Sequence, residues 1–276
     1  MKTVLMLTLI ALVLSGCSGT EALQSEALDR AITVDGAVDD WQDALTPIEK
    51  KNLSLGLRND GTFLYLALVS SDRQFINQMM SRGFTVWFDA EGGKERAFGI
   101  RFPLGLMASG RGVPPRDRQQ NQDPDARRQR FEESMADLEI FDGEESSMRF
   151  GMDAINGIAV KATLDTGTMM YELQVPLRKS EAYAFAIDAA PGDAIGVGLE
   201  TPEIDREAMR QQMRGRGGGR GGAGGRGGVG GPGGGRGGIG GPGGGRGERG
   251  GFGGQQPDPF KLWTTVTLAR AEANSQ

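Results

Sequence analysis

The sequence predicts an all-β protein: a single β-sandwich with two short helices in its loops and a disordered Gly/Arg-rich insertion before the last strand. Three observations lead there. About ten short segments of alternating or continuous apolar character recur between residues 32 and 269, punctuated by turn residues. Only two stretches show helical spacing. The chain's 276 residues suffice for one large domain.

The elements follow in order. Residues 32–34 are short and β-branched. Leu53, Leu55 and Leu57 alternate with Ser54, Gly56 and Arg58, as in a strand with one buried face. Asn59, Asp60 and Gly61 form a hairpin turn signal. Residues 63–69 are apolar at nearly every position, as a covered central strand requires. A helix is expected over 72–82, capped by Ser71 or Asp72 and stopped by Gly83, with Phe75, Ile76, Met79 and Met80 on one stripe. Strands at 84–88 and 97–102 flank the polar turn 89–96. Residues 110–124, rich in Arg, Gln, Pro and Asp, read as an exposed loop. A second helix is expected over 125–138, where Phe131, Met135 and Leu138 recur at helical spacing. Further strands are expected at 138–141, 157–164, 169–175, 184–187, 194–200 and 260–269.

Composition removes several functions. With no histidine, a Ser-His-Asp triad, a Cys-His dyad and a His-ligated zinc or haem are excluded. With one cysteine, Cys17, no intrachain disulfide forms. Twenty-seven of the 46 glycines lie between 215 and 254. From Arg214 to Gly254 there are seven arginines against one acid, Glu248. That segment carries about +6 in a chain of net −5, which leaves about −11 elsewhere. An acidic body is a poor nucleic-acid platform, so the Arg-Gly-Gly texture argues weakly for RNA and the whole chain argues against nucleic acid. The insertion, expected over 210–258, contains the near-repeat GGVGGPGGGR, GGIGGPGGGR. It lacks the side chains to bury a core and lies between two expected strands, so it is a loop. Closing a loop of about fifty residues adds only a few kcal/mol, since the cost grows with the logarithm of length.

The amino terminus has Lys2 followed by an apolar run from Val4 to Leu14, broken only by Thr8. This is too short to span a bilayer and suits a signal peptide. Leu14, Ser15, Gly16 and Cys17 resemble the lipobox of bacterial lipoproteins. The resemblance implies cleavage after Gly16 and lipid attachment to Cys17, giving a signal peptide over 1–16 and a lipidated tether over 17–30. The sandwich is then expected over 31–270 and a short tail over 271–276. Ser18, rather than aspartate, follows the cysteine and directs the expectation to the outer membrane. On this reading the protein is lipid-anchored in the cell envelope.

Ile32, Thr33, Val34, Asp35 and Gly36, followed by Asp39, Asp40 and Trp41, resemble the opening of family 9-like carbohydrate-binding modules. Asn59, Asp60 and Gly61, the run 64–69 with its Leu64-Tyr65 pair, and Asp72 are similar to that family's next signature. Val86, Trp87, Phe88 and Asp89 resemble a following strand, and residues 171–177 a later one. Together these span roughly 32–200 plus the final strand. The resemblance implies a jelly-roll-like sandwich shared by sugar-binding modules, haem-binding relatives and other exported domains, so it carries fold further than function. The missing histidine departs from the haem-binding pattern, and no cofactor is expected.

Two groups of side chains are candidates. Asp35, Asp39 and Asp40 offer oxygens to a calcium ion, though Asp-Gly and Asp-Asp more often shape turns, so no metal is assigned. Trp41 beside them is expected to be a core anchor. Strand alternation turns Tyr65, Trp87, Arg101 and Trp263 away from the core, where three rings and a cation would make a ligand-binding platform for sugar faces and hydroxyls. The competing expectation is that one of the helices covers this face and the residues pack beneath it. Functionally, the sequence points to a non-enzymatic anchored lipoprotein binding a glycan or another envelope component. The alternative is an envelope structural or assembly protein that binds a protein partner through its sandwich. A glycosidase with paired carboxylates comes third and requires two carboxyl groups about 5–10 Å apart.

Overall fold

The computed structural model describes residues 22–106, 134–203 and 257–270. Thirteen strands and one α-helix are found among them: β1 Leu23–Gln24, β2 Glu26–Ala27, β3 Leu45–Ile48, β4 Leu53–Asn59, β5 Phe63–Ser70, α1 Arg73–Arg82, β6 Thr85–Asp89, β7 Phe98–Arg101, β8 Asp137–Asp142, β9 Ser147–Gly151, β10 Ala159–Asp165, β11 Thr168–Pro176, β12 Ala194–Glu200 and β13 Lys261–Thr267. They form two sheets. The seven-stranded sheet runs β1-β13-β12-β6-β7-β8-β9, and the six-stranded sheet runs β10-β11-β5-β4-β2 with β3 also on β4.

The expected alternation builds the core. Leu55 pairs with Leu68 and Leu57 with Leu66, placing four leucines on one face of the six-stranded sheet. Val86 pairs with Ile100 and with Leu199 on the facing sheet. These side chains, with Phe88, Ile140, Tyr171, Leu173, Val197 and Val266, form one buried cluster between the sheets. Each leucine buried this way is worth roughly 1.5–3 kcal/mol relative to exposure. The architecture is an all-β sandwich.

The helix α1 forms as its sequence predicts. Asp72 accepts from the N–H groups of Gln74 at 2.7 Å and Phe75 at 3.0 Å, and Gly83 closes the other end. Phe75, Ile76 and Met79 drive this helix into the core between the sheets.

Several expectations are corrected. Residues 32–34 form no strand: the Thr33 N–H donates to the Asp40 carboxylate at 3.1 Å and Asp35 N–H to the Thr33 carbonyl at 2.9 Å, so a local turn consumes the backbone. Residues 184–187 are also irregular, tied to β11 and its exit through Ile187 N–H to Pro176 O and Ala189 N–H to Leu177 O. In the expected second helix Ser134 is helical but the end is strand, with Asp137 and Leu138 paired to Gly151 and Phe150; residues 125–133 lie outside the described residues. The expected tether over 17–30 already contributes sheet structure, because β1 pairs parallel with β13 and β2 parallel with β4. β3 and β9 carry no clear alternation and escape a periodicity reading; β3 contains Pro47, which suits a strand at a sheet margin. Residues 203–258 separate as a unit of their own, and all but Glu203, Pro257 and Asp258 lie outside the described residues, as do Cys17 and the amino-terminal segment. No described helix is long and apolar enough to cross a membrane.

Candidate functional site

The outward face of the seven-stranded sheet carries a row of five residues, one per strand. Trp263 on β13 pairs with Gly198 on β12, Gly198 with Trp87 on β6, Trp87 with Gly99 on β7, and Gly99 with Phe141 on β8. Aromatic and glycine therefore alternate across the sheet. A Cβ at Gly198 would stand 2.5 Å from the Trp263 ring, and one at Gly99 would stand 2.5 Å from the Trp87 ring. Each indole thus lies flat over its neighbouring strand, in space that only glycine leaves open. Trp87 and Phe141 meet at 5.1 Å between ring centroids.

Polar groups fix this layer. The turn between β6 and β7 brings Arg96 back over the sheet, its guanidinium 5.8 Å from the Trp87 ring centroid. Arg96 donates to Glu200 at 2.8 Å and also binds Glu144. Glu200 accepts at its other oxygen from Trp263 Nε1 at 2.8 Å. Glu200 thereby locks both the indole and the guanidinium. The neighbouring row continues the pattern: Arg101 donates to Glu139 at 2.9 Å and to Thr85 at 3.2 Å, and its guanidinium lies 4.6 Å from the Phe141 ring. Burial pulls the Arg101 guanidinium below its usual range, against the pull of Glu139.

Beside Trp263 opens a cleft of about 520 Å³, lined by Lys94, Glu95, Arg96, Ala97, Gly143, Glu144, Glu200 and Trp263. This size falls within the range of small-molecule sites. Its chemistry is mixed: one aromatic face, two cations and three carboxylates. Arg96 and Glu144 offer donors and acceptors side by side. Glu144 and Glu200 both pair with the Arg96 guanidinium.

The four residues expected to form one platform are divided. Trp87, Arg101 and Trp263 share the seven-stranded sheet, while Tyr65 sits on the outer face of the other sheet, in a second cluster with Trp41, Ala44, Ala67 and Met170. Alternation assigned each residue's face correctly, but the assignment of strands to sheets separates Tyr65 from the rest. Trp87 is 5 % exposed, with Arg96 over its ring and Phe141 against it among the described residues. Trp263 is only half-buried and borders the cleft. Arg96, Glu144 and Glu200 share no local pattern in the sequence, where they are separated by up to 104 residues.

The second sheet has a polar centre of its own. The Glu172 carboxylate accepts from Trp41 Nε1 at 2.7 Å, Asp35 N–H at 3.0 Å and Gly36 N–H at 2.5 Å. Burial raises its pKa, while these donors oppose the rise. Trp41 is fully buried, as expected of an anchor. Asp35 accepts from the Ala37 N–H, Asp40 from Thr33 and Asp39 from Gln42, so the three acids shape and cap the turn. Among the described residues no cluster of acids could hold a metal ion.

No family model matches the chain, and no curated protein does. Among solved structures, the chain is similar to a family 9 carbohydrate-binding module from Caldicellulosiruptor kristjanssonii in complex with glucose, at 13 % identity and a TM-score of 0.33, over 67 % of this chain and 80 % of that one. The same module in complex with cellotriose gives 13 % identity and a TM-score of 0.32, over 67 % and 78 %.

Proposed function

We propose that the protein is a non-enzymatic binding lipoprotein of the cell envelope, anchored through lipid on Cys17 at the outer membrane, and that its cleft takes a glycan. The observation that carries the glycan reading is Trp263. Its indole is held flat by Gly198 and by the bond from Nε1 to Glu200, and it borders a cleft furnished with Arg96, Lys94 and Glu144. A sugar ring presents an apolar face for stacking and a rim of hydroxyls that both donate and accept. An Arg–Glu pair beside an aromatic ring supplies both partners for those hydroxyls. Because the ring is already immobilised, little side-chain entropy is lost on binding.

The test is a glycan array probed with the full chain and with Trp263→Ala. Selective binding that falls at least tenfold in the variant, with the circular dichroism spectrum unchanged, is expected. Equal binding by both chains would move the ligand away from this cleft. An empty array would move the function to a protein partner.

A further inference from the structure

Strands at sheet margins carry backbone groups without ladder partners, and proteins usually blunt them with charge or cover. β10 ends the six-stranded sheet and, among the described residues, pairs only with β11. Along it, Lys161 and Asp165 are exposed, and neither has an ion-pair partner among the described residues. Between them Leu164 is 48 % exposed, one of three large apolar side chains so exposed among the described residues. Two unpaired opposite charges four residues apart and an uncovered leucine thus lie on one free edge.

We propose that a second copy of this chain pairs antiparallel with β10 about a two-fold axis through Thr163. In that register Thr163 faces its own counterpart, Ala162 faces Leu164 of the second copy, and Lys161 faces its Asp165. Directly opposed side chains in an antiparallel pair lie about 4.5–5.5 Å apart at Cβ, within reach of an ion pair. The symmetry makes the Ala162–Leu164 and Lys161–Asp165 contacts twice. It also covers both copies of Leu164 on the core side of the strand, where Val160 and Ala162 are already buried.

The charge pattern selects both the register and the partner. Lys161 repels or fails to match most strands that might add here, which is how an edge lysine blunts pairing. An axis through Lys161 itself would oppose two lysines, and one through Ala162 would leave both charges unmatched. Only the axis through Thr163 matches each lysine with an aspartate. β9, a margin of the seven-stranded sheet, lacks this property: its central residue is Arg149, so a two-fold axis there would oppose two arginines. Thr163 does not stand in the way, since its hydroxyl turns onto the outer face and donates to the Gly36 carbonyl at 2.7 Å.

The experiment is sedimentation velocity of the full chain in detergent over a concentration series, for wild type, Lys161→Glu, Asp165→Lys, the double exchange and Arg149→Glu. Wild type is expected to dimerise with concentration. Each single exchange on β10 should weaken the dimer at least fivefold, and the double exchange should restore it to within twofold of wild type. Asp165→Lys is the cleaner single change, because Lys161 lies across the ladder from Glu172. Arg149→Glu should leave the dimer unchanged. A chain that stays monomeric throughout, single exchanges without effect, a double exchange that fails to restore, or loss of the dimer in Arg149→Glu alone would each overturn the proposal. None of these readings depends on the glycan cleft.

Discussion

The indole of Trp263 lies against Gly198 so closely that a Cβ on the glycine would stand 2.5 Å from two ring atoms. The same relation joins Trp87 to Gly99, and Trp41 to Gly56 at 2.7 Å. All three tryptophans of the chain are therefore laid flat on a strand by a glycine beside them.

Gly198→Ala is expected to lift the Trp263 ring and break its bond to Glu200. Overpacking of this kind costs about 1–3 kcal/mol, less where the ring can move toward solvent. Ligand binding should fall while the fold persists. Tryptophan fluorescence and glycan affinity measured on the same preparation check it; unchanged affinity would separate the ring's seating from its function.

Trp87→Ala and Trp263→Ala should behave differently. Trp87 is 5 % exposed, and emptying such a site costs about 3–5 kcal/mol. Trp263 is half-buried and should cost less while removing binding. Urea midpoints for both variants decide the point. A larger loss for Trp263→Ala would show that its main task is packing.

Glu172→Gln should destabilise the sandwich by about 1–3 kcal/mol, because one oxygen facing two main-chain N–H donors becomes an amide nitrogen or leaves them unpaired. The effect should depend on pH. Burial holds the Glu172 pKa above its ordinary value, so the folded chain binds this proton more tightly than the unfolded one. The group's stabilising contribution is then full below the ordinary glutamate range and is lost as pH rises through the folded pKa. The advantage of wild type over Glu172→Gln should be larger at pH 4 than at pH 7, measured by urea unfolding at both.

Tyr171→Phe should leave the protein as stable or stabilise it by up to about 1 kcal/mol. The tyrosine is fully buried, its ring packs on Phe84 at 5.2 Å, and its hydroxyl has no hydrogen-bond partner among the described residues. The substitution keeps the ring and removes a desolvated polar group. A fall in denaturant midpoint at constant slope would mean that the hydroxyl is satisfied in solution.

Cys17→Ser should abolish fatty-acid incorporation and leave the signal peptide attached. Mass spectrometry of the purified chain reads both. A processed variant of ordinary signal-peptide length would point to a cleavage site independent of the cysteine.

Much of the secondary structure was legible in the sequence. Alternation at Leu53–Leu57 and 84–88 reported which side chains enter the core, and Asp72 and Gly83 marked both ends of the helix. Failures came where the local pattern was weak or the backbone had other partners. Residues 32–34 look like a strand but spend their hydrogen bonds on the turn at Asp40. β1 and β2 are two residues each and exist only because β13 and β4 lie beside them. Of the candidate site, Trp87 and Trp263 could be placed on an outward face from alternation, whereas Arg96, Glu144 and Glu200 carried no signal.

By itself, the sequence determined the all-β class, the facing of most strand residues and the exclusion of histidine chemistry, because strand periodicity and composition are properties of neighbouring residues and of the chain as a whole. The tertiary structure alone decided that Tyr65 belongs to one sheet and Trp87 and Trp263 to the other, and that a glycine stands beside each tryptophan. Those relations depend on which strands pair and in what register, a choice made between segments as much as 176 residues apart, from Trp87 to Trp263, and no local pattern encodes it.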